Sequence, residues 1–183
     1  GERLALNFLQ RMSGIATKTN IYVEQVKDYD VRVVDTRKTT PNLRILEKWA
    51  VRLGGAHNHR MGLYDAVLIK DNHIKSAGGI TEAINKVKNN IPHTVKIEVE
   101  AEDLKGVKKA LKNDADIIML DNMSLKGLKN AVDIIDDASM IEASGRITLD
   151  NIKDVAETGV DVISVGALTH QIESIDISLD IQE

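Results

Sequence analysis

Residues 94–100 read TVKIEVE, and their alternation decides the fold. Side chains along a strand point to opposite faces in turn. Val95, Ile97 and Val99 therefore share one face, and Lys96, Glu98 and Glu100 share the other. A strand covered by helices on both sides is apolar on both faces. This one carries charge on one face. Two other runs repeat the pattern. Met140, Glu142 and Ser144 share a face of SMIEAS (139–144), and Ala66, Leu68 and Lys70 share one of AVLIK (66–70). A barrel accounts for all three. The apolar face meets surrounding helices, the mixed face lines a lumen, and functional residues gather at the C-terminal strand ends.

Working outward, six β-branched runs read as strands: VRVVD (31–35), AVLIK (66–70), TVKIEVE (94–100), DIIML (116–120), SMIEA (139–143) and DVISV (161–165). Helical periodicity fills the intervals. Leu46, Trp49, Ala50 and Leu53 share one helix face, as do Leu104, Val107 and Leu111, and Ile152, Val155 and Ala156. Thr40-Pro41 reads as an N-cap with proline at the first helical position, and Thr148 as the cap of a helix ending near Gly159. One further helix, about residues 3–19, precedes the strands. Alternating strands and helices make a parallel sheet with right-handed crossovers. Eight-stranded barrels take roughly 250 residues. The expected fold for 183 residues is therefore an α/β, parallel βα-barrel, incomplete or six- to seven-stranded, preceded by one helix, as a single domain over 1–183.

Composition excludes several function classes. A net charge of −4 is no chain-wide basic footprint for nucleic acid. With no cysteine, disulfides and thiolate metal sites are impossible. No run approaches the roughly 18 apolar residues of a membrane span, and the first residues lack a signal-peptide pattern. The expectation is a cytoplasmic protein acting on small molecules.

Four clusters carry chemistry. In DTRKTTP (35–41), Arg37 and Lys38 supply adjacent cations, and the helix after Thr40 offers backbone N–H groups to an anion. In HNHR (57–60), His59 reads as a hydrogen-bond donor beside Arg60; zinc is disfavoured because no further ligand stands at a suitable spacing. Glu98, Glu100, Asp121 and Glu142 form an acidic group on three strands. It suits magnesium held through water, or a cationic transition state, and Lys70 and Lys96 are the available internal partners. ASG (143–145) and SVGAL (164–168) place Ser144, Gly145 and Gly166 after late strands, where barrels bind phosphate through backbone N–H groups.

The ordered segments ERLALNFLQRMSGIAT, DTRKTTP, GGAHNHRMGLYDAVLIKDNH, IEVE, MLDN, EASGRIT and VDVISVGALTH resemble the quinolinate phosphoribosyltransferase family from Arg3 to about Asp180. The resemblance implies transfer of phosphoribosyl from phosphoribosyl pyrophosphate to quinolinate with decarboxylation, giving nicotinate mononucleotide, pyrophosphate and CO2, with Mg2+ as cofactor. It implies quinolinate contacts at Arg37, His59, Arg60 and Lys70. Lys38, Glu100 and Asp121 fall around phosphoribosyl pyrophosphate and its magnesium, and Ser144, Gly145 and Gly166 at its phosphates. It also implies that Arg3 reaches a neighbouring subunit's site, in a homo-oligomer with shared active sites. Lys38, Lys70, Glu100 and Asp121 are the expected catalytic groups. The family's N-terminal α/β sandwich lies outside these residues, so an inactive barrel fragment or assembly module is one alternative. Others are a related transferase acting on another small acid, and a Schiff-base barrel enzyme using Lys70.

Overall fold

The computed structural model describes residues 1–181. All six expected strands form: β1 (Arg32–Val34), β2 (Val67–Ile69), β3 (Ile97–Ala101), β4 (Ile117–Asp121), β5 (Met140–Ser144) and β6 (Val162–Ser164). They pair in parallel in the order β1-β6-β5-β4-β3-β2. That is the neighbour sequence of a barrel left open between β1 and β2. A single bridge from Val34 to His57 begins to fill the opening. There the His57 N–H donates to Val33 O at 2.9 Å, and the Asp35 N–H donates to His57 O at 3.2 Å. The incomplete, six- to seven-stranded barrel expected from the sequence is what forms.

Eight helices accompany the strands among the described residues: α1 (Glu2–Gln25), α2 (Arg44–Leu53), α3 (Asp71–Ala77), α4 (Ile80–Lys88), α5 (Leu104–Lys112), α6 (Leu125–Ile135), α7 (Ile152–Ala156) and α8 (Ala167–His170). The first helix runs six residues past its expected end. Its added turns bury Tyr22, which keeps the chain helical until Val26 joins the core.

Strand parity divides the interior as the alternation requires. Val33, Ile69, Ile97, Val99, Ile118, Leu120, Ile141 and Ile163 join one buried cluster with Val107, Ala110, Leu128 and Ile135 of the helices. Val34, Leu68, Met119 and Val162 are equally buried but lie outside that cluster, because they point the other way. Glu98, Glu142 and Ser164 are buried with them on the inner side.

Three expectations need correction. Lys96 shares the parity of Glu98 but stands at the N-terminal rim, where its exposed ammonium meets Asp116 at 2.8 Å instead of the lumen carboxylates. Thr40 does not cap α2, whose N-cap is Leu43. Residues 40–43 form a turn closed by Leu43 N–H to Thr40 O, and the Thr40 N–H already donates to Glu47 Oε2 at 3.0 Å, so it is not free for an anion. Thr148 likewise opens a turn, and Asn151 immediately precedes α7.

The face of α2 is also rotated from the expected one. Trp49 and Leu53 are 57% and 64% exposed, while Glu47 and Lys48 are fully buried. The cause is the partner surface. The inward residues of α2 are Arg44, Glu47, Lys48, Ala50 and Val51: Glu47 and Lys48 meet the bases of the charged loops, while Val51 and the expected Ala50 join the hydrophobic core. Ile45, Trp49, Leu53, Leu63 and Tyr64 are left as exposed large apolar residues. No helix among the described residues is long and apolar enough to cross a membrane.

Burial separates the cost of two substitutions. Ile118→Ala, at a fully buried position of β4, is expected to cost about 2–5 kcal/mol. Lys96→Ala breaks an exposed ion pair and is expected to cost about 1 kcal/mol or less. Urea midpoints compare the two directly, and similar losses would contradict the assigned faces.

Candidate active site

The C-terminal strand ends open into one cavity of about 840 Å³. Its lining includes Thr36, Arg37 and Lys38 after β1, Lys70 after β2, Glu100 of β3, Asp121 of β4, Ser144 and Gly145 at β5, and Gly166 after β6. Residues from both sheet edges thus face one space, which requires the sheet to curl. Of the residues singled out in the sequence, Arg37, Lys38, His59, Arg60, Lys70, Glu100, Asp121, Ser144, Gly145 and Gly166 all line this cavity. Arg3 does not; it is exposed near the start of α1.

The base of the cationic loop is a buried ion pair. Asp35 and Lys48 are both fully buried, and Lys48 Nζ donates to Asp35 Oδ1. It also donates to His59 O at 3.0 Å. Asp35 in turn accepts from Asn58 Nδ2 at 2.6 Å and from the His59 N–H at 2.9 Å. Burial pushes the Asp35 carboxyl upward, against the opposing pull of Lys48, Asn58 and the His59 N–H. The loop is held from two further sides. Arg11 donates to Glu47 and to Thr40 Oγ1, and buried Thr169 donates to Lys38 O at 2.7 Å.

His59 sits at the cavity floor with both ring nitrogens engaged. The Arg60 N–H points at Nδ1 at 2.8 Å. Nδ1 therefore accepts and Nε2 carries the hydrogen, which faces Glu98 Oε2 at 3.0 Å and Glu142 Oε2 at 3.5 Å. The reading of His59 as a donor beside Arg60 holds, but its donor is turned inward onto carboxylates. Burial lowers the proton affinity of the ring, while the Glu98 hydrogen bond and the Glu142 and Glu98 charges raise it, with a net upward shift. The Arg60 N–H opposes a second proton.

His59, Glu98 and Glu142 place three ligand atoms within 4.8 Å of one another. The spacing invisible in the sequence is thus present in space. A metal-bound histidine donates its other N–H to a neighbour, however, and here that nitrogen accepts. Proton sharing fits better. Glu98 Oε1 and Glu142 Oε1 are buried without partners. Burial, followed by the Glu98 charge, pushes Glu142 up to about 8.

Above this layer the mouth is mixed in sign. Burial and then the charge of Arg37 lower the pKa of Arg60. Two guanidinium groups therefore stand close enough to repel. Lys70, half-exposed, comes within 3.9 Å of Glu100 Oε2, and its N–H donates to His73 Nδ1 at 3.0 Å just before α3. Burial and then the Asp121 charge raise the pKa of Glu100. At β5, Gly145 adopts φ +95, and a Cβ there would overlap the Asn122 side chain. Glycine is required at this position for both reasons.

Sequence reasoning missed Arg44, Lys48, Arg146, Thr148, His170 and Gln171. All but Lys48 line the cavity. The available signal was the stripe of Arg44, Glu47 and Lys48 on one face of α2, directly after a cationic loop.

Fold and site together define an open βα-barrel domain with a strand-end cavity of mixed charge. Residues 15–180 match the family model "Quinolinate phosphoribosyl transferase, C-terminal domain", and the chain belongs to that family. It is 50% identical over 184 aligned positions to a probable nicotinate-nucleotide pyrophosphorylase [carboxylating] of Synechocystis, covering 99% of this chain and 62% of that protein. It is 47% identical to a probable nicotinate-nucleotide pyrophosphorylase [carboxylating] of Bacillus subtilis, covering 99% and 63%. The solved nicotinate-nucleotide pyrophosphorylase of Francisella tularensis superposes with a TM-score of 0.95 at 48% identity, covering 99% of this chain and 64% of that one. The chain thus spans a little over three-fifths of the length of these relatives.

The raised Glu142 carboxyl makes stability depend on pH. Below its ordinary value of 4.5 the group is protonated whether the chain is folded or not. As pH rises toward about 8, the folded protein keeps a proton that the unfolded chain has released. Stability therefore falls across that window and levels off above it. Glu142→Gln, which does not titrate, is expected to flatten this decline. Urea midpoints measured across the window check it; parallel slopes for the two proteins would contradict the assignment.

Proposed function

We propose that this domain carries the catalytic barrel of a cytoplasmic quinolinate phosphoribosyltransferase. The observation that carries the reading is the mouth itself. Arg37, Lys38, Arg60 and Lys70 line one cavity together with Glu100 and Asp121 and with glycine-bearing strand ends. Quinolinate is a dianion, and Arg37, Arg60 and Lys70 offer forked and point charges for its two carboxylates. Ser144, Gly145 and Gly166 offer backbone N–H groups to the phosphates of phosphoribosyl pyrophosphate.

The chemistry assigned to these residues is electrostatic. As pyrophosphate leaves, the ribosyl carbon becomes cationic, and Glu100 and Asp121 favour that charge while Lys38 faces the departing anion. Ribosylation makes the ring nitrogen cationic, so the adjacent carboxylate leaves as CO2 with the ring as electron sink, and the vacated carbon takes up one proton. His59 holds the floor beneath the ring.

The residues fit a magnesium ion. Glu100 and Asp121 are hard oxygen donors on neighbouring strands that line the same cavity, and they would hold the ion through water. When bound, it neutralises charge on the pyrophosphate. Arg3, remote from its own cavity, is assigned to a neighbouring subunit's site in a homo-oligomer, and the family's N-terminal α/β sandwich to a segment outside these residues. Lys70 is half-exposed beside Glu100 and lacks the apolar enclosure that activates a Schiff-base lysine.

The full-length gene product, given quinolinate and phosphoribosyl pyrophosphate, is expected to release pyrophosphate and CO2 one to one with nicotinate mononucleotide. Arg60→Ala is expected to cost about 2–4 kcal/mol in kcat/KM for quinolinate, with phosphoribosyl pyrophosphate binding changed far less. Pyrophosphate release independent of quinolinate, or equal loss for both ligands, would contradict the reading.

A further inference from the structure

Arg44 is the first residue of α2 and lines the cavity beside Arg37 and Arg60. Its guanidinium group makes three bonds in three directions. Nε donates to Thr39 Oγ1 at 2.9 Å, Nη2 to Arg37 O at 3.1 Å, and Nη1 to Met61 O at 3.1 Å. The first two acceptors belong to the loop after β1. The third belongs to the segment that follows Arg60. One side chain therefore ties the backbone beside each of the two cations.

Both halves of this clamp are otherwise stiff. The Thr39 N–H closes a turn onto Arg37 O at 2.9 Å. On the other side, Asp65 accepts from the Met61 and Gly62 N–H groups at 2.6 and 2.9 Å, and Arg60 Nη1 donates to Ala66 O at 3.2 Å. At their base the two segments are already joined through Asp35 and Lys48, and nearer the mouth Arg44 adds a tie between residues 37–39 and Met61. Without it, the like charges of Arg37 and Arg60 favour their separation.

We infer that Arg44 is a positioning residue that fixes the spacing of Arg37 and Arg60, and so lets the site select a rigid two-carboxylate ligand over its one-carboxylate analogue. This rests on the proposed quinolinate reading and adds to it the origin of the discrimination. Two carboxylates on a planar ring hold a fixed separation, and two cations match it only if their own separation is fixed. A monocarboxylate makes no such demand. Lysine cannot replace the clamp, because one ammonium on a flexible stem does not reproduce the planar fork.

The test is calorimetric binding of pyridine-2,3-dicarboxylate and of pyridine-3-carboxylate to the full-length gene product. Wild type is compared with Arg44→Ala, Arg44→Lys and Thr39→Val, and steady-state kinetics run in parallel. Both Arg44 variants are expected to weaken the dicarboxylate on the order of tenfold to a hundredfold, with little change for the monocarboxylate or phosphoribosyl pyrophosphate. KM for the dicarboxylate is expected to rise more than kcat falls. Thr39→Val, which removes one clamp bond and leaves Arg44 in place, is expected to shift discrimination the same way by less, and it carries the test if Arg44→Ala does not fold. Equal weakening of both acids, or wild-type discrimination in Arg44→Lys, would overturn the clamp. A wild-type protein that binds neither acid overturns the quinolinate reading and the clamp with it, whereas wild-type binding with unchanged discrimination in Arg44→Ala overturns the clamp alone.

Discussion

The rest of the site depends on one fully buried ion pair, Asp35 with Lys48. Taking two charges out of water is costly, and it is tolerated when each charge also finds hydrogen-bond partners. Here Lys48 reaches His59 O, and Asp35 takes Asn58 and the His59 N–H. Three pieces of chain therefore meet at one point: the end of β1, the middle of α2 and the segment 57–60. The cationic loop starts at Asp35, and His59 extends over the lumen carboxylates from the same knot. Moving any of the three pieces would leave a buried charge without its partner.

Above and below this knot the lumen separates into layers by strand position. Glu98 and Glu142 lie deep, buried, and share His59. Two residues further along the same strands, Glu100 and Ser144 line the open cavity. One parity thus supplies a proton-sharing floor and a ligand-facing rim. The opposite parity supplies Ile97, Val99, Ile141 and Ala143 to the core beneath the helices. The family match over residues 15–180 sets the rim in its chemical context, and the local physics explains why it holds cations and carboxylates side by side.

Much of this was legible in the sequence because strand parity is local. TVKIEVE alone assigns Ile97 and Val99 to one side and Glu98 and Glu100 to the other, and the structure agrees. Depth along a strand is not local, so Lys96 was assigned to the lumen although it stands at the outer rim. The inward face of α2 failed for a related reason. Leu46, Trp49 and Leu53 satisfy a helical apolar stripe, but Glu47 and Lys48 are drawn inward by the Thr40 N–H and Asp35, which leaves Trp49 and Leu53 outside. Lys48 is called inward by Asp35, 13 positions earlier, and no periodicity records such a pairing. The triad of His59, Glu98 and Glu142 was hidden likewise, since its members come from a loop and two strands far apart in sequence. Most cavity residues carried by short motifs, from Arg37 to Gly166, are legible because they lie at or just after the end of a recognisable strand, whereas His59 and Arg60, which precede β2, are legible only through the HNHR motif.

The central claim is that the Asp35–Lys48 pair holds the cavity loops in place. The most direct measurement is calorimetric binding of pyridine-2,3-dicarboxylate to the full-length double variant Asp35→Asn with Lys48→Met. Removing both charges together avoids the roughly 3–5 kcal/mol loss expected when one buried partner is stranded, so this variant is expected to stay folded. The account predicts that it nevertheless binds the dicarboxylate at least about tenfold more weakly than wild type, because the knot beneath Arg37 and His59 is gone. Wild-type affinity in the folded double variant would contradict it.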